Sequence, residues 1–351
     1  MTTSIVTFRN EFTEGVLNFI WQQWCRMGVA GSRGQKKSWV IDPEPILAFT
    51  TEVARHDARM FDEVMDWLVS NGHWINTQRF STLLHQDNIG NRAVAGAMAS
   101  WMTEHDKSMK WRGLAQRTVS EARSPEEPLF HMAIGKPGGA SGNGDSHFQR
   151  YGLMREKVRT RGLSQSVNMK DPVNIMIKSR ALFGIGIRAD VMALMMSTDG
   201  SHPRDLARTL GYNPMRVQEV LVGLAEAGVA FVRPVGRAKH YWIDRDKWQG
   251  ILTEKQAAVP RWINWRALTR GLSVIWRQVW ALEEARADPY IFSSKMRSAM
   301  QSARNDLLGS GMGLVIEDDK GCLAEAYLPV FIRDVSNMLN VFGAVKGEGC
   351  A

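Results

Sequence analysis

At 351 residues the chain is long enough for two or three compact units. Its formal net charge of +8 and pI of about 9.5 favour a polyanionic partner. Three scattered cysteines, Cys25, Cys322 and Cys350, argue against a disulfide framework and fit a reducing compartment. No stretch nears the ~18 apolar residues of a bilayer span, and the first residues lack a basic region followed by an apolar core. A cytoplasmic chain without membrane contact is expected.

The first helix is expected over residues 8–27, with Val16, Leu17, Ile20, Trp21 and Trp24 on its apolar side. The loop 28–38 has glycines, lysines and a serine. It lacks the order of a phosphate-binding loop, because Gln35 stands between Gly34 and Lys36, and so reads as a basic surface loop. Asp42, Pro43 and Glu44 open the next helix. Phe61, Val64, Met65, Leu68 and Val69 recur at helical spacing before Asn71 and Gly72 end the run. Helices at 77–84 and 92–103 follow. Residues 57–105 therefore have the lengths of a degenerate helix-turn-helix inside an N-terminal helical domain, 1–130. Its third helix is nearly devoid of charge, which suits packing better than reading bases.

Residues 131–170 read as a flexible basic linker. Glycines crowd 135–145, and Arg150, Arg155, Lys157, Arg159 and Arg161 follow. Such a segment either tracks phosphates as an arm or is simply solvated. Asp171 and Pro172 restart order with a helix to Phe183.

Residues 188–244 carry the most information. Val191, Leu194 and Met195 give the first helix an apolar face, and Asp199-Gly200 stops it. Ser201 is placed to cap a second helix that has Pro203 in its first turn and Leu206, Ala207 and Leu210 inside. Gly211-Tyr212 is the turn. Asn213 caps a third helix with the stripe Val217, Val220, Leu221 and Leu224, and Gly228 ends it. Two β-prone runs, 229–235 and 240–243, flank the hairpin turn 236–239.

This pattern resembles the winged-helix domains of the ArsR and MarR families of bacterial transcription regulators. Carrying the resemblance are Asp205-Leu206-Ala207, Leu210-Gly211, residues 213–217, residues 221–224, Ala227-Gly228-Val229, and Gly236-Arg237 followed by Tyr241. It covers roughly a sixth of the chain. It implies that the third helix enters the major groove, with Arg216, Gln218 and Glu219 near its reading end. Arg can bond guanine bidentately, Gln adenine, and Glu can accept from cytosine. It also implies wing cations Arg233, Arg237 and Lys239 on phosphates, with Arg204 and Arg208 meeting the backbone. Metal-sensing relatives use Cys or His clusters. Here no cysteine lies in the unit, and His202 and His240 stand alone, so no metal is expected.

After the unit, residues 251–351 read as a C-terminal helical region. Pro260 opens a run at 262–284 with Trp265, Leu268, Leu272, Ile275, Trp276 and Val279 near one face, extended by Trp280. Helices at 290–308 and 328–342 follow, with a short strand at 314–316 and a turn at 318–321. The tryptophans read as core or as a homodimer interface.

Catalytic motifs are missing: no His-Glu-x-x-His, no Gly-x-Ser-x-Gly, no Cys-x-x-Cys. Asp318-Asp319 reads as a turn, and Glu126-Glu127 and Glu283-Glu284 as solvated. No catalytic residue and no cofactor are expected. The expectation is a mainly α protein: a winged helix-turn-helix at 171–250 with a small β-hairpin wing, flanked by helical regions. Its role would be sequence-specific binding of double-stranded DNA as a transcriptional regulator, as a homodimer. The alternatives are an antitoxin or other interaction protein holding a protein partner, and a replication initiator with tandem winged helices.

Overall fold

The computed structural model describes residues 5–31, 39–119, 126–131, 144–253, 259–281, 288–317 and 326–343. Most of the loop 28–38, most of the stretch 135–145, the turn at 318–321, Glu283, Glu284, Cys322 and Cys350 lie outside the described residues.

The chain is mainly helical. It begins with α1 (Ile5–Arg26), α2 (Pro43–Val53), α3 (Ala58–Asn71), α4 (Thr77–His85), α5 (Arg92–His105) and α6 (Arg112–Val119). A two-residue parallel pair, β1 (Glu127–Pro128) and β2 (Leu153–Met154), brackets the single turn α7 (Ser146–Gln149). Next come α8 (Ile175–Phe183), α9 (Ile187–Met196), α10 (Pro203–Leu210) and α11 (Pro214–Glu226). The antiparallel ribbon β3 (Ala230–Val235) and β4 (Ala238–Ile243) pairs Ala230 with Ile243 and Val235 with Ala238. Then α12 (Arg245–Leu252), α13 (Trp265–Ala281), α14 (Pro289–Leu308) and α15 (Tyr327–Phe342) follow.

Two apolar cores form. The larger takes residues from both ends of the chain. Phe19 of α1 stacks on Phe342 of α15 at 4.1 Å, and Phe12 meets Trp276 of α13 at 5.7 Å. Regions 1–130 and 251–351, separate in the sequence reading, therefore share one interior. Trp265 and Trp276 are 0% and 2% exposed, so the tryptophan face is used within the chain rather than offered to a second copy. Each buried indole contributes on the order of 4 kcal/mol as an upper bound. The strand expected at 314–316 does not form. Leu314 and Ile316 point into this core while Val315 is exposed, and no described strand lies beside them to pair with.

The expected linker also differs where it is described. Phe148, Tyr151 and Leu153 are buried. Arg155, read from the sequence as an arm cation or a solvated one, sits among the rings of Phe61, Phe130 and Phe148 at 5.4, 5.5 and 5.1 Å, and donates to Asp62 at 2.8 Å. Asp66 accepts from the backbone N–H of Gly162 and Ser164, and Arg161 pairs with Glu63. Segment 144–170 is strapped to α3 by these contacts. Arg150, Lys157 and Arg159 stay exposed. In the triplet 57–105, α5 is enclosed along Val94–Met102 and packs against α2, α3, α6 and α7.

The smaller core joins α9, α10, α11 and the base of the ribbon. Val191 and Leu194, Leu206 and Leu210, Val217 and Leu221, and Tyr241 and Ile243 meet there. The apolar stripes read from the sequence are the buried ones, except that Val220 is half-buried. The α10 cap differs. Ser201 exchanges two backbone bonds with Tyr241 at 3.0 Å each, which ties the entry of α10 to β4. His202 takes the cap, its Nδ1 accepting from Arg204 N at 3.2 Å. Asn213 caps α11 through Met215 N at 2.9 Å, and Gly211 supplies the left-handed turn at φ 76°.

A buried charge network joins the two cores. Arg79 of α4 grips Asp42 with two bonds of 2.5 Å and Glu44 with one of 2.7 Å, and its Nε donates to the Leu210 carbonyl at 2.6 Å. Arg180 of α8 grips Glu44 at 2.6 and 2.8 Å and Asp190 of α9 at 2.8 and 3.0 Å. The Tyr212 hydroxyl donates to Asp190 at 2.6 Å and accepts from Asn76 at 3.1 Å. Burial resists ionisation of Glu44, but Arg180 and Arg79 outweigh it and hold the carboxyl down to about 2. At Asp42 burial wins over Arg79 and pushes the carboxyl up to about 6.

Candidate nucleic-acid interface

The front of α11 stands clear of the rest of the chain. Its apolar stripe, Val217, Leu221 and Leu224, faces the smaller core, which turns Met215, Arg216, Gln218 and Glu219 outward. Arg216 pairs with Glu219 at 3.1 Å, and their side chains are 70% and 58% exposed. Gln218 Nε2 donates to the Tyr241 hydroxyl at 3.2 Å, which braces the helix against β4. On α10, Arg204 and Arg208 are exposed, and Arg208 bonds Asp205 at 2.5 Å.

The eight residues singled out in the sequence do not form one cluster. Arg204, Gln218, Glu219 and Arg237 line a cleft of about 530 Å³ between α10, the front of α11 and the hairpin turn. Arg208 and Arg216 line a second cleft on the other side of α10, and Arg204 borders both. The alternation of the ribbon separates its cations. Arg233 opposes His240 and shares its face with Phe231 and Trp242, whereas Lys239 opposes Pro234 on the other face. Arg233 lies over the Trp242 ring at 5.4 Å. Arg237 lies in the turn, Lys239 follows it in β4, and both are exposed.

Two contributors were missed in the sequence. Met215 is 73% exposed at the front of α11, where an apolar tip suits a thymine methyl. Its signal was its place just after the Asn213 cap, ahead of the buried stripe. His202 lines the 530 Å³ cleft and caps α10. Its ring lies 6.2 Å from that of His240. Among the described residues no three His, Cys, Asp or Glu side chains converge on a metal position, and no helix is long and apolar enough to cross a membrane.

The surface can therefore present hydrogen-bonding groups from one helix front, with exposed cations on either side. No protein-family model, no curated protein and no solved structure matches the chain.

Proposed function

We propose that residues 187–243 are a winged helix-turn-helix and that the protein binds double-stranded DNA sequence-specifically to regulate transcription. The observation that carries this reading is the capped, outward-facing front of α11, which presents Arg216 and sets Gln218 and Glu219 beside the exposed Arg237 turn. A helix of this kind, about 10–12 Å across, fits the major groove, and its front residues reach base edges. Phosphate contacts from Arg204, Arg208, Arg237 and Lys239 position it. A homodimer reading two half-sites belongs to the same proposal. The enclosure of α5 weighs against the tandem arrangement that a replication initiator needs.

The test is selection of duplex fragments by the full chain at moderate salt, followed by affinity measurements on the selected site. The double variant R216A/R237A is expected to bind roughly ten- to a hundredfold more weakly, with relaxed preference at the base that Arg216 reads. Stoichiometry of the complex reads the dimer. Equal binding by variant and wild type overturns the site; failure to retain any fragment overturns the function.

A further inference from the structure

The second cleft, about 1080 Å³, opens between α4 and the α10–α11 pair. Six cations line it, Arg79, Lys110, Arg204, Arg208, Arg216 and Arg266, and none of its lining residues is a carboxylate. These charges differ in how firmly they are held. Arg79 is committed to the buried network, and Arg266 is gripped by Asp87 with two bonds of 2.6 Å. Among the described residues Arg208 and Arg216 pair with Asp205 and Glu219, exposed pairs three residues apart. Such pairs hold weakly in water, so an incoming phosphate can replace the carboxylate.

The opposite wall is one face of α4. Gln78, Thr82 and Gln86 follow at four-residue intervals and are neutral hydrogen-bonding groups, with Gln78 and Gln86 exposed. Lys110 closes one end. Its Nζ donates to the carbonyls of Gly72, His73 and Ile75 at 2.8, 2.8 and 3.0 Å, so its charge is held in place. The cleft is open and carries cations and amides on its walls, unlike the enclosed apolar pockets that take small metabolites. Arg204 and Pro214 line both this cleft and the one at the front of α11.

We propose that this cleft takes the DNA sugar–phosphate backbone flanking the groove read by α11, with Gln78, Gln86 and Lys110 as its far wall. The proposal rests on the DNA-binding reading above. It makes the N-terminal core part of the grip: it adds affinity and register without adding base readout. The placement of α4 against the end of α10, where Arg79 bonds the Leu210 carbonyl, then becomes a requirement for binding.

The test adds charge to the far wall of the full-length protein. In Q78K/Q86K two lysines face the cleft at exposed positions. The control S294K/S298K carries the same added charge at exposed positions in the N-terminal half of α14. Binding to a labelled mixed-sequence duplex of about 30 base pairs is followed across a salt series. Q78K/Q86K is expected to tighten low-salt binding roughly tenfold and to steepen the log–log salt slope by about 1.8, with the control near wild type. Q78E/Q86E is expected to weaken binding by a similar factor. If Q78K/Q86K and the control behave alike while wild type binds DNA, the cleft proposal fails and the DNA-binding reading stands. If wild type binds no duplex, both fail.

Discussion

Two groups of arginines flank the turn between α10 and α11. Arg79 and Arg180 lie inside it, with side chains 0% exposed and ion pairs, among the described residues, to Asp42, Glu44 and Asp190. Arg208 and Arg216 lie outside it, 76% and 70% exposed, each with one carboxylate three residues away. The same side chain thus serves two ends. Inside, where removal of a partner leaves a buried charge uncompensated, arginine fixes how α4, α8, α9 and the turn are set against one another. Outside, where water competes for every bond, arginine remains exchangeable and so available to a polyanion. Position relative to the core, rather than residue type, separates the committed charge from the exchangeable one.

The strongest way to break this comparison is to remove the carboxylate that both inner arginines share. Glu44 takes bonds from Arg79, Arg180 and the backbone N–H of Asn76. Glu44→Gln keeps the shape and removes the charge. A loss of about 3–5 kcal/mol in urea unfolding is expected. A loss below about 1 kcal/mol would show that the inner network does not hold the two cores together. Its pH signature has a definite sign. Glu44 is held down to about 2 against an ordinary 4.5, so its contribution is present above 4.5 and lost as pH falls towards 2.

Much of the unit at 187–243 was legible in the sequence because its signals are local. Asn213 ahead of Pro214, Gly211 at the turn and the spacing of Val217, Leu221 and Leu224 each specify a cap, a turn or a face within a few residues. The inner network was not legible. Its members Glu44, Arg79, Arg180 and Asp190 are far apart in sequence, and each reads alone as an ordinary surface charge on an amphipathic helix. The strap from 144 to 170 failed for a related reason. Arg155 among basic neighbours looks solvated, and only the three-dimensional meeting of Phe61, Phe130 and Phe148 shows that it is enclosed. At the candidate site the residue types were legible, while their division between two clefts was not. That division depends on which side of α10 each side chain leaves, and on ribbon alternation that puts Arg233 and Lys239 on opposite faces.

A smaller effect sharpens the comparison through a titrating group in the larger core. The His56 ring lies 3.9 Å from that of Trp280 and 4.8 Å from that of His131. Burial, with His131 and Arg55 nearby, pushes its pKa from 6.5 down to about 3. The unfolded chain gains this proton below 6.5 and the folded chain only near 3. The contribution of His56 is therefore present above 6.5 and lost across that window as pH falls. Asp42, pushed up to about 6, acts in the opposite sense, so the measurement must be a difference. His56→Phe keeps a stacking ring and leaves Asp42 in place. Between pH 7 and 4 the wild type is expected to lose on the order of 2 kcal/mol relative to this variant in urea unfolding. A constant difference across the series would mean that the His56 site admits charge as readily as water does.

The smallest effect expected is on the outer pair. Arg216 and Glu219 sit three residues apart on an exposed helix face. Pairs in that arrangement couple by about 0.2–0.5 kcal/mol, less as salt rises. Arg216→Gln, Glu219→Gln and the double variant form a cycle whose coupling energy is read by urea unfolding at low and high salt. A coupling within that range, shrinking with salt, leaves the guanidinium free to trade its carboxylate for a phosphate or a base edge at little cost to the fold. A coupling above about 1 kcal/mol would mean that the front of α11 is locked as the interior is. Arg216 would then have to break a strong pair to reach DNA, and the distinction between inner and outer arginines would fail at the residue on which the binding proposal most depends.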